Sequence, residues 1–424
     1  MLSFLPTPSD FQGFRKYWKN DLVAGITVGI VALPLALAFG VTTGTGAASG
    51  LITAIFAGFL AALFGGSNYQ VSGPTGAMTV VLVPIVSKFG PGALFPLGIG
   101  AGVIVLLSGL LRFGGLINKV PWPVMEGFTL GIALVIALQQ LPGALAIVAT
   151  NGNGTLGTAI NTFKNAVSTG LNLGAISIVL LTLFIKFSYP KIASKLGIKL
   201  HIPASFIAII FSTLFAGIFK LGIPRVGELP KNIFLVNQMP HNINFQNLII
   251  PCIEIALLAA IESLLSARIA DGMAKHHEGF IHSKPNRELF GQGIASTVSS
   301  IFGGLPATGA IARTGVNVRS GARTRAASII HALFLLSAVF ILNPIIAQIP
   351  IATLAGILIG TSYRIARPSA IKEALATTKI DAATLLITAT IVLLFDLIWG
   401  IIIGCLLYFL MNLFTKAAKN KLDL

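Results

Sequence analysis

The chain has 424 residues, of which 55% are hydrophobic and only 10% are charged. Soluble domains carry about 25% charged residues, so this composition and a mean hydropathy of +0.89 exclude a soluble globular protein and indicate a polytopic membrane protein whose surroundings are the lipid bilayer. The formal net charge of +16 does not indicate a nucleic-acid partner, because most Lys and Arg residues lie in short loops between apolar runs.

The N-terminus carries Arg15, Lys16 and Lys19 directly before the first apolar run. No small-residue cleavage site follows that run, so it is predicted to be a retained helix rather than a signal peptide. With no long polar block elsewhere, residues 1–424 are expected to form a single membrane domain.

Apolar runs near the roughly 20 residues needed to cross a bilayer recur along the chain and divide into two sets of seven. The first set lies at about 22–40, 46–64, 73–88, 94–112, 121–141, 173–188 and 203–219. The second set lies at about 250–272, 287–303, 309–318, 326–345, 350–363, 380–395 and 397–415. This pattern predicts an all-α fold with fourteen transmembrane segments, the first repeat covering about 20–220 and the second about 248–415.

An odd number of segments per set turns the second set upside down relative to the first, which is the inverted repeat of many secondary transporters. Lys and Arg concentrate on the cytoplasmic side of membrane proteins, and this rule puts both termini in the cytoplasm. The loop at 142–172, which is rich in Asn, Gly and Thr, and the loop at 220–248 then lie on the side of the membrane opposite the cytoplasm. The basic clusters that fall inside are the N-terminal one, Arg112/Lys119, Lys186/Lys191/Lys195/Lys199, Lys275/Lys284/Arg287, Arg319/Arg323/Arg325, Arg364/Arg367/Lys372/Lys379 and Lys416/Lys419/Lys421.

The third segment of each set is interrupted by glycine and proline. Residues 64–66 (FGG) run into 71–77 (VSGPTGA), and residues 302–304 (FGG) run into 306–310 (PATGA). Paired interruptions in corresponding places of two halves predict half-helices that meet at a binding site near the bilayer midplane, each preceded by a short extended stretch.

The starts of these half-helices suit an anion, because backbone N–H groups there lack intrahelical partners and carry the positive end of the helix dipole. Gly73, Gly76 and Gly309 let the backbone approach a ligand closely, and Thr75 and Thr308 can add hydroxyl donors. Carboxylate, sulfate or bicarbonate fit such a site. Ordinary Gly/Pro kinks in packed helices are the alternative.

Arg313 lies four positions into a segment otherwise made of small and apolar residues. A guanidinium at a helix centre costs at least about 3 kcal/mol, so it should face a partner or a wet cavity, and an anionic substrate is its natural partner. The alternative is an arginine that snorkels to the interface near Arg319.

Glu262 lies in an apolar helix with Ser266 one turn later on the same face. An ionised carboxylate in this apolar setting has a high free energy, so Glu262 is expected to take up a proton as the coupling ion. Two alternatives remain open, which are a Na⁺ site shared with Ser266 and a structural ion pair with Arg313.

The sequence holds no Walker-type phosphate loop, no hydrolase nucleophile elbow and no zinc-ligand spacing. These motifs give no sign of an enzyme, a cofactor, a bound metal or ATP-driven pumping. A gradient is therefore expected to supply the energy.

The motifs resemble those of the SulP/SLC26 family of anion transporters over nearly the whole chain. The resemblance is carried by residues 21–40, 65–77, 262–271, 291–293, 306–314 and 317–324. It implies a core and a gate domain, an elevator-type mechanism and usually a homodimer.

Carried over to this sequence, the family's substrate site comprises residues at the starts of the third and tenth helices and on the first helix. These are Ala36, Phe39, Ser72, Gly73, Pro74, Thr75, Ala310, Ile311 and Arg313. Glu262 matches the family's coupling residue, and because Na⁺-coupled bicarbonate relatives tend to have Asp there, Glu favours protons. Typical members continue into a cytoplasmic STAS domain, whereas this chain ends about ten residues after Phe414, so a natural short form or a truncated chain is expected.

These observations together predict a secondary active transporter of a bacterial inner membrane that symports protons with sulfate, bicarbonate or a dicarboxylate. A Na⁺-coupled bicarbonate symporter and an anion exchanger are the alternatives. A nucleobase permease with the same seven-plus-seven layout, an anion channel and a non-transporting sensor are more remote.

Overall fold

A computed structural model describes residues 4–115, 120–195, 197, 202–229, 245–366, 368–395 and 397–422. Over these ranges the chain forms seventeen α-helices and two short strands. The helices of the first half are α1 (Phe14–Thr42), α2 (Ala47–Phe64), α3 (Gly76–Phe89), α4 (Leu94–Leu110), α5 (Trp122–Gln139), α6 (Leu141–Leu145), α7 (Gly154–Thr169), α8 (Leu173–Lys195) and α9 (Ala204–Ile218). Those of the second half are α10 (Ile249–Ala274), α11 (Pro285–Ile301), α12 (Ile311–Arg319), α13 (Ala326–Ala347), α14 (Ile351–Ile365), α15 (Pro368–Thr377), α16 (Lys379–Leu394) and α17 (Leu397–Leu422). The strands are β1 (Ser72–Gly73) and β2 (Thr308–Gly309).

The predicted all-α fold is confirmed, and a helix lies at each of the fourteen predicted segments. Within the described ranges, seven helices are long and apolar enough to cross a membrane, namely those built on α1, α2, α4, α5, α8, α10 and α13. The number of times that the chain crosses the bilayer stays a prediction.

The two interrupted segments have the predicted form, since each starts with a strand of two residues and continues as a short helix. Helix α3 has 14 residues and α12 has nine. Thr75 ends the extended stretch before α3, and its hydroxyl accepts the N–H of Met78 at 3.4 Å as a helix N-cap.

The prediction of a loop over 142–172 is wrong, because this stretch contains the 16-residue helix α7. Ala159, Thr162 and Ala166 are buried at spacings of three and four residues, which is one face of a helix. That face packs against α5 and α16. The high content of Asn, Gly and Thr concealed this narrow buried stripe.

Lys186, which was grouped with the basic residues of the cytoplasmic side, lies well inside a helix and is buried. Helix α8 continues to Lys195, and the Lys186 side chain is buried within it, where its amine donates to the carbonyl of Ile357 at 2.6 Å. Part of the basic stretch 364–379 likewise forms a helix, α15. Lys119, Lys199 and Arg367 of the predicted clusters lie outside the described residues.

The chain divides into two compact units. The first comprises Met1–Gly115, Gly143–Ala146 and Asn172–Ile357, and it contains every candidate site residue. In this unit α11 packs closely on α4 through glycines, since a Cβ at Gly102 would lie 2.8 Å from the carbonyl oxygen of Gly293. Small residues allow such close approach of helices in membranes.

The second unit comprises Leu116–Pro142, Ile147–Leu171 and Leu358–Leu424. Its centre is the contact between α5 and α16, where Gly127 lies so close to Leu385 that a Cβ would come within 2.4 Å of the leucine carbonyl oxygen. Helix α17 packs against both of these helices.

Candidate anion site between two half-helices

The two half-helices start side by side because their preceding strands pair. Strands β1 and β2 are antiparallel, with Ser72 opposite Gly309 and Gly73 opposite Thr308. The N–H of Ala310 also donates to the carbonyl of Val71 at 2.9 Å. This pairing brings the starts of α3 and α12, which are far apart in the sequence, to one place in the first unit.

The Arg313 side chain connects the two half-helices. Its residue is 1% exposed, and Nη2 donates to the carbonyl of Pro74 at 2.7 Å. Nη1 is also buried and has no hydrogen-bond partner among the described residues. A buried N–H donor without an acceptor is costly, so Nη1 is the group at this site most in need of a ligand.

Gly73 makes room for this guanidinium. A Cβ at Gly73 would lie 2.7 Å from Arg313 Nη1, and its φ of +149° is a backbone conformation that favours glycine. The positive ends of α3 and α12 add to the field of the guanidinium. The geometry can therefore hold a small anion with both N–H donors and positive charge.

Glu262 of α10 lies against the start of α3. The hydroxyl of Thr75 donates to Glu262 Oε2 at 2.9 Å. One residue later, the Ser263 hydroxyl lies 3.0 Å from that of Thr308 and accepts the N–H of Gly309 at 3.0 Å. Helix α10 thus contacts both half-helix starts, and Glu262 is only half-buried.

Ser266 is engaged elsewhere. Its hydroxyl donates to Thr314 Oγ1 at 3.1 Å, and the same oxygen accepts the N–H of Val71 at 3.0 Å. Ser266 and Thr314 therefore support the strand that enters the site. Glu262 and Ser266 therefore have different hydrogen-bond partners, which are Thr75 for Glu262 and Thr314 for Ser266.

The residues expected from the first helix, Ala36 and Phe39, are both buried in α1, which packs against α12 and α3. At the start of α12, Ala310 is 6% exposed and Ile311 is half-buried. Of the predicted site residues at the start of α12, Ile311 is therefore more exposed than Ala310 and Arg313.

The sequence analysis missed a second layer of polar residues behind the site. Glu288 and Gln292 of α11 are buried beside the connection from α2 to β1. Arg325, which was expected in a cytoplasmic loop, is 3% exposed, and its Nη1 donates to the carbonyls of Ala62, Leu63 and Gly65 at the end of α2. The spacing of Glu288 and Gln292, one turn apart in an apolar segment, was the signal that could have indicated them.

The N-terminal segment is tied to the same region by an ion pair. Arg287 Nη1 and Nη2 donate to the two carboxylate oxygens of Asp10 at 2.6 and 2.8 Å, and Arg325 Nη2 lies 3.4 Å from Asp10. Burial alone would raise the pKa of Asp10, but the hydrogen bonds from Arg287 and Thr7 and the charge of Arg325 outweigh it and hold that pKa well below its ordinary value of 3.8.

Comparison with known proteins confirms the resemblance noted in the motifs. The sulfate permease family matches over residues 18–388. The Bacillus subtilis (strain 168) protein YvdB is 34% identical in an alignment of 408 residues that covers 94% of this chain and 74% of YvdB. The bicarbonate transporter BicA of Picosynechococcus sp. is 31% identical over 421 residues, covering 96% of this chain and 71% of BicA.

Solved structures agree with the fold. The transmembrane domain of a cyanobacterium bicarbonate transporter BicA has a TM-score of 0.81 and 28% identity, covering 93% of this chain and 98% of that domain. Murine Slc26a9 in the inward-facing state has a TM-score of 0.82 over 98% of this chain and 72% of its own, and at 17% identity it supports the fold alone. The chain is therefore a multi-pass membrane transporter, not an enzyme, and it belongs to the sulfate permease family.

Proposed function

We propose that this chain is a secondary active transporter that symports protons with a small oxyanion, which is sulfate, bicarbonate or a dicarboxylate. In this proposal it acts in a bacterial inner membrane with both termini in the cytoplasm, as a homodimer, and by an elevator-type movement of the site across the membrane. The description of the family supports sulfate, and the similarity to BicA supports bicarbonate.

The observation that carries the proposal is the buried Nη1 group of Arg313 beside Gly73. A guanidinium attracts anions and offers N–H groups in a fixed plane. One N–H group of Arg313 is already used to hold Pro74, which leaves Nη1 oriented at the start of α3. An anion that accepts from Nη1 would also meet the positive ends of α3 and α12.

The proposed coupling group is Glu262, because it touches the same half-helix through Thr75. An anion bound near Arg313 and an ionised Glu262 would be two negative charges at the start of the same half-helix, and they would repel each other. Protonation of Glu262 removes that repulsion, so proton and anion would bind together and cross together. Binding of Na⁺ by Glu262 would remove the repulsion in the same way, which is the alternative of Na⁺ coupling. In the alternative of anion exchange, Glu262 would need neither a proton nor Na⁺.

Uptake into proteoliposomes tests the proposal. Purified protein is reconstituted, a proton gradient or a Na⁺ gradient is imposed, and accumulation of radiolabelled sulfate, bicarbonate, succinate and fumarate is followed in mutual competition. We expect accumulation that follows the proton gradient in the wild-type protein. In Glu262→Gln we expect the gradient dependence to disappear while exchange of anion down its own gradient persists.

Glu254→Gln is the matched control, since Glu254 lies two turns earlier in the same helix. It should retain gradient-driven accumulation. Full proton-driven accumulation by Glu262→Gln would remove Glu262 from the coupling role, and accumulation that follows only Na⁺ would replace the proton as the coupling ion.

A further inference from the structure

The connection from α2 to β1 is hydrogen-bonded to a single carboxylate. Glu288 of α11 is 1% exposed, and its Oε2 accepts the N–H groups of Gly66 at 2.8 Å and Ser67 at 2.9 Å. Its Oε1 accepts the side-chain amide of Gln70 at 2.8 Å. One side chain therefore holds three residues of the connection that leads to the candidate site.

A second amide extends this network into the site itself. Gln292, one turn after Glu288, donates from Nε2 both to Glu288 Oε1 at 2.9 Å and to the hydroxyl of Ser72 at 2.5 Å. Ser72 is the first residue of β1 and pairs with Gly309. Glu288 is thus joined by one intervening side chain to a residue at the start of the half-helix.

The orientation of both amides follows from the carboxylate. In Gln70 and in Gln292, Nε2 is turned towards Glu288, while the buried Oε1 atom has no hydrogen-bond partner among the described residues. All four donors around Glu288 face an acceptor-only group. The carboxylate therefore determines which end of each amide faces the site.

The equivalent connection before β2 is held differently, by neutral hydroxyl groups. The Leu305 N–H donates to Thr53 Oγ1 at 2.6 Å, and the Ser296 hydroxyl accepts from the N–H of Ala307 at 3.1 Å and donates to its carbonyl at 2.9 Å. Several side chains share this task. On the β1 side one residue, Glu288, accepts three donors of the connection, while other side chains bind the rest of it, as Arg325 does at Gly65 and Thr314 does at Val71.

We infer that Glu288 is the positioning residue of the anion site: it fixes Ser72 and the entry to α3 through Gln70 and Gln292, without touching the anion. The inference rests on the proposed function, because it needs an anion site to position. Loss of Glu288 leaves the N–H groups of Gly66 and Ser67 without their acceptor, so the connection and the strand it feeds are held less firmly in position.

The test is the concentration dependence of sulfate and bicarbonate uptake by reconstituted protein. We expect Glu288→Ala to raise KM by at least about tenfold while changing kcat by less than about threefold, because the anion site is displaced and the coupling residue is intact. Glu288→Gln should restore KM to within about threefold of wild type. Its amide oxygen still accepts from Gly66 and Ser67, and its new NH₂ group can donate to the Oε1 atoms of Gln70 and Gln292 once these two amides turn over. The Ser72 hydroxyl then donates to Gln292 Oε1, so the link to β1 is kept.

Ser300→Ala is the matched control. Ser300 lies in the same helix, is fully buried, and its hydroxyl has no hydrogen-bond partner in the described part of the chain. Its KM should equal that of the wild-type protein. If Glu288→Ala does not give folded protein, Gln292→Met decides. It removes the amide that joins Glu288 to Ser72 but leaves the hydrogen bonds of Glu288 to Gly66, Ser67 and Gln70, and it should still raise KM by about threefold or more.

Three outcomes would overturn the inference. The first is a wild-type KM in Glu288→Ala. The second, which applies if Glu288→Ala does not fold, is a wild-type KM in Gln292→Met. The third is a Glu288→Gln protein whose KM is raised as much as that of Glu288→Ala. Absence of saturable anion uptake by the wild-type protein would overturn the proposed function and this inference with it. Saturable wild-type uptake with an unchanged KM in Glu288→Ala would overturn this inference alone.

Discussion

Arg313 Nη2 donates to the carbonyl of Pro74 at 2.7 Å, so a side chain of α12 is hydrogen-bonded to the residue that leads into α3. This contact adds to the β1–β2 pairing and fixes the starts of both half-helices with respect to each other. It also holds the guanidinium in one orientation, with Nη1 next to Gly73. A ligand at Nη1 would therefore meet a site that is already formed, which lowers the cost of binding.

Substitution of Gly73 by alanine should weaken anion binding. The added Cβ would lie 2.7 Å from Arg313 Nη1 and 3.2 Å from the Cα of Ala54, and the backbone has a φ of +149°. Displacement of one charged hydrogen bond costs roughly 1.5–3 kcal/mol, which corresponds to roughly 10- to 100-fold in Kd. Calorimetric titration of the purified protein with sulfate and with bicarbonate measures this change.

Gly217→Ala in α9 is the control for that experiment, because a Cβ there meets nothing within 4 Å. It should bind as the wild-type protein does. Equal affinity of the Gly73→Ala and Gly217→Ala proteins would show that the anion does not bind beside Gly73.

A cysteine at position 311 should be protected by the transported anion. Ile311 is half-buried at the start of α12, so a small thiol reagent can reach a cysteine there. In a background without Cys252 and Cys405, saturating sulfate or bicarbonate should slow labelling of Ile311→Cys by at least about threefold, because the bound anion occupies the access path. Labelling is followed by mass spectrometry.

Ile281→Cys provides the comparison, since Ile281 is 49% exposed in the connection between α10 and α11, away from the half-helices. Its labelling rate should not depend on the anion. Labelling of Ile311→Cys that is insensitive to every transported anion would argue against a site at the start of α12.

Asp10→Asn should destabilise the protein at neutral pH. Asp10 forms a two-bond ion pair with Arg287, whose side chain is only 5% exposed, and loss of one partner of a buried pair costs roughly 3–5 kcal/mol. We expect an apparent Tm in detergent that is several degrees lower than that of wild type. Glu278→Gln, which breaks the solvent-exposed pair with Lys16, should leave Tm unchanged.

The effect of Asp10 should also depend on pH in a defined direction. Its pKa is lower in the folded protein than the ordinary 3.8, so its contribution is complete above that value and is lost as the pH falls towards the folded pKa. The difference in Tm between wild type and Asp10→Asn should therefore be constant near neutrality and shrink below about pH 4. A difference that grows on acidification would contradict this assignment.

The sequence predicted those features that have a strong local signal. The apolar segments are long, and the Gly/Pro interruptions before α3 and α12 stand out against them, so the helices and the strand–helix starts were predicted correctly. Helix α7 was missed because its buried stripe consists of Ala159, Thr162 and Ala166, which contribute little hydrophobicity.

The polar residues behind the site could not be assigned from the sequence, because their roles depend on contacts between distant parts of the chain. Glu288 meets Gly66 across 222 positions, and Arg287 meets Asp10 across 277. Lys186 and Arg325 were grouped with the basic residues of the cytoplasmic side, yet both are buried and donate to backbone carbonyls. Such partners become visible only when the fold brings them together.

The most direct test of the account is the affinity of the Arg313→Ala and Arg313→Lys proteins for sulfate and bicarbonate, measured by calorimetry beside Arg319→Ala, an exposed arginine at the other end of α12. We predict that both Arg313 variants bind whichever anion the wild-type protein binds at least roughly 10-fold more weakly. Alanine has no donor, and the single Nζ atom of lysine cannot take the positions of both Nη2 at Pro74 and Nη1 at the anion. Arg319→Ala should bind with wild-type affinity. An Arg313→Ala protein that is folded and binds the anion as tightly as wild type would contradict the central claim.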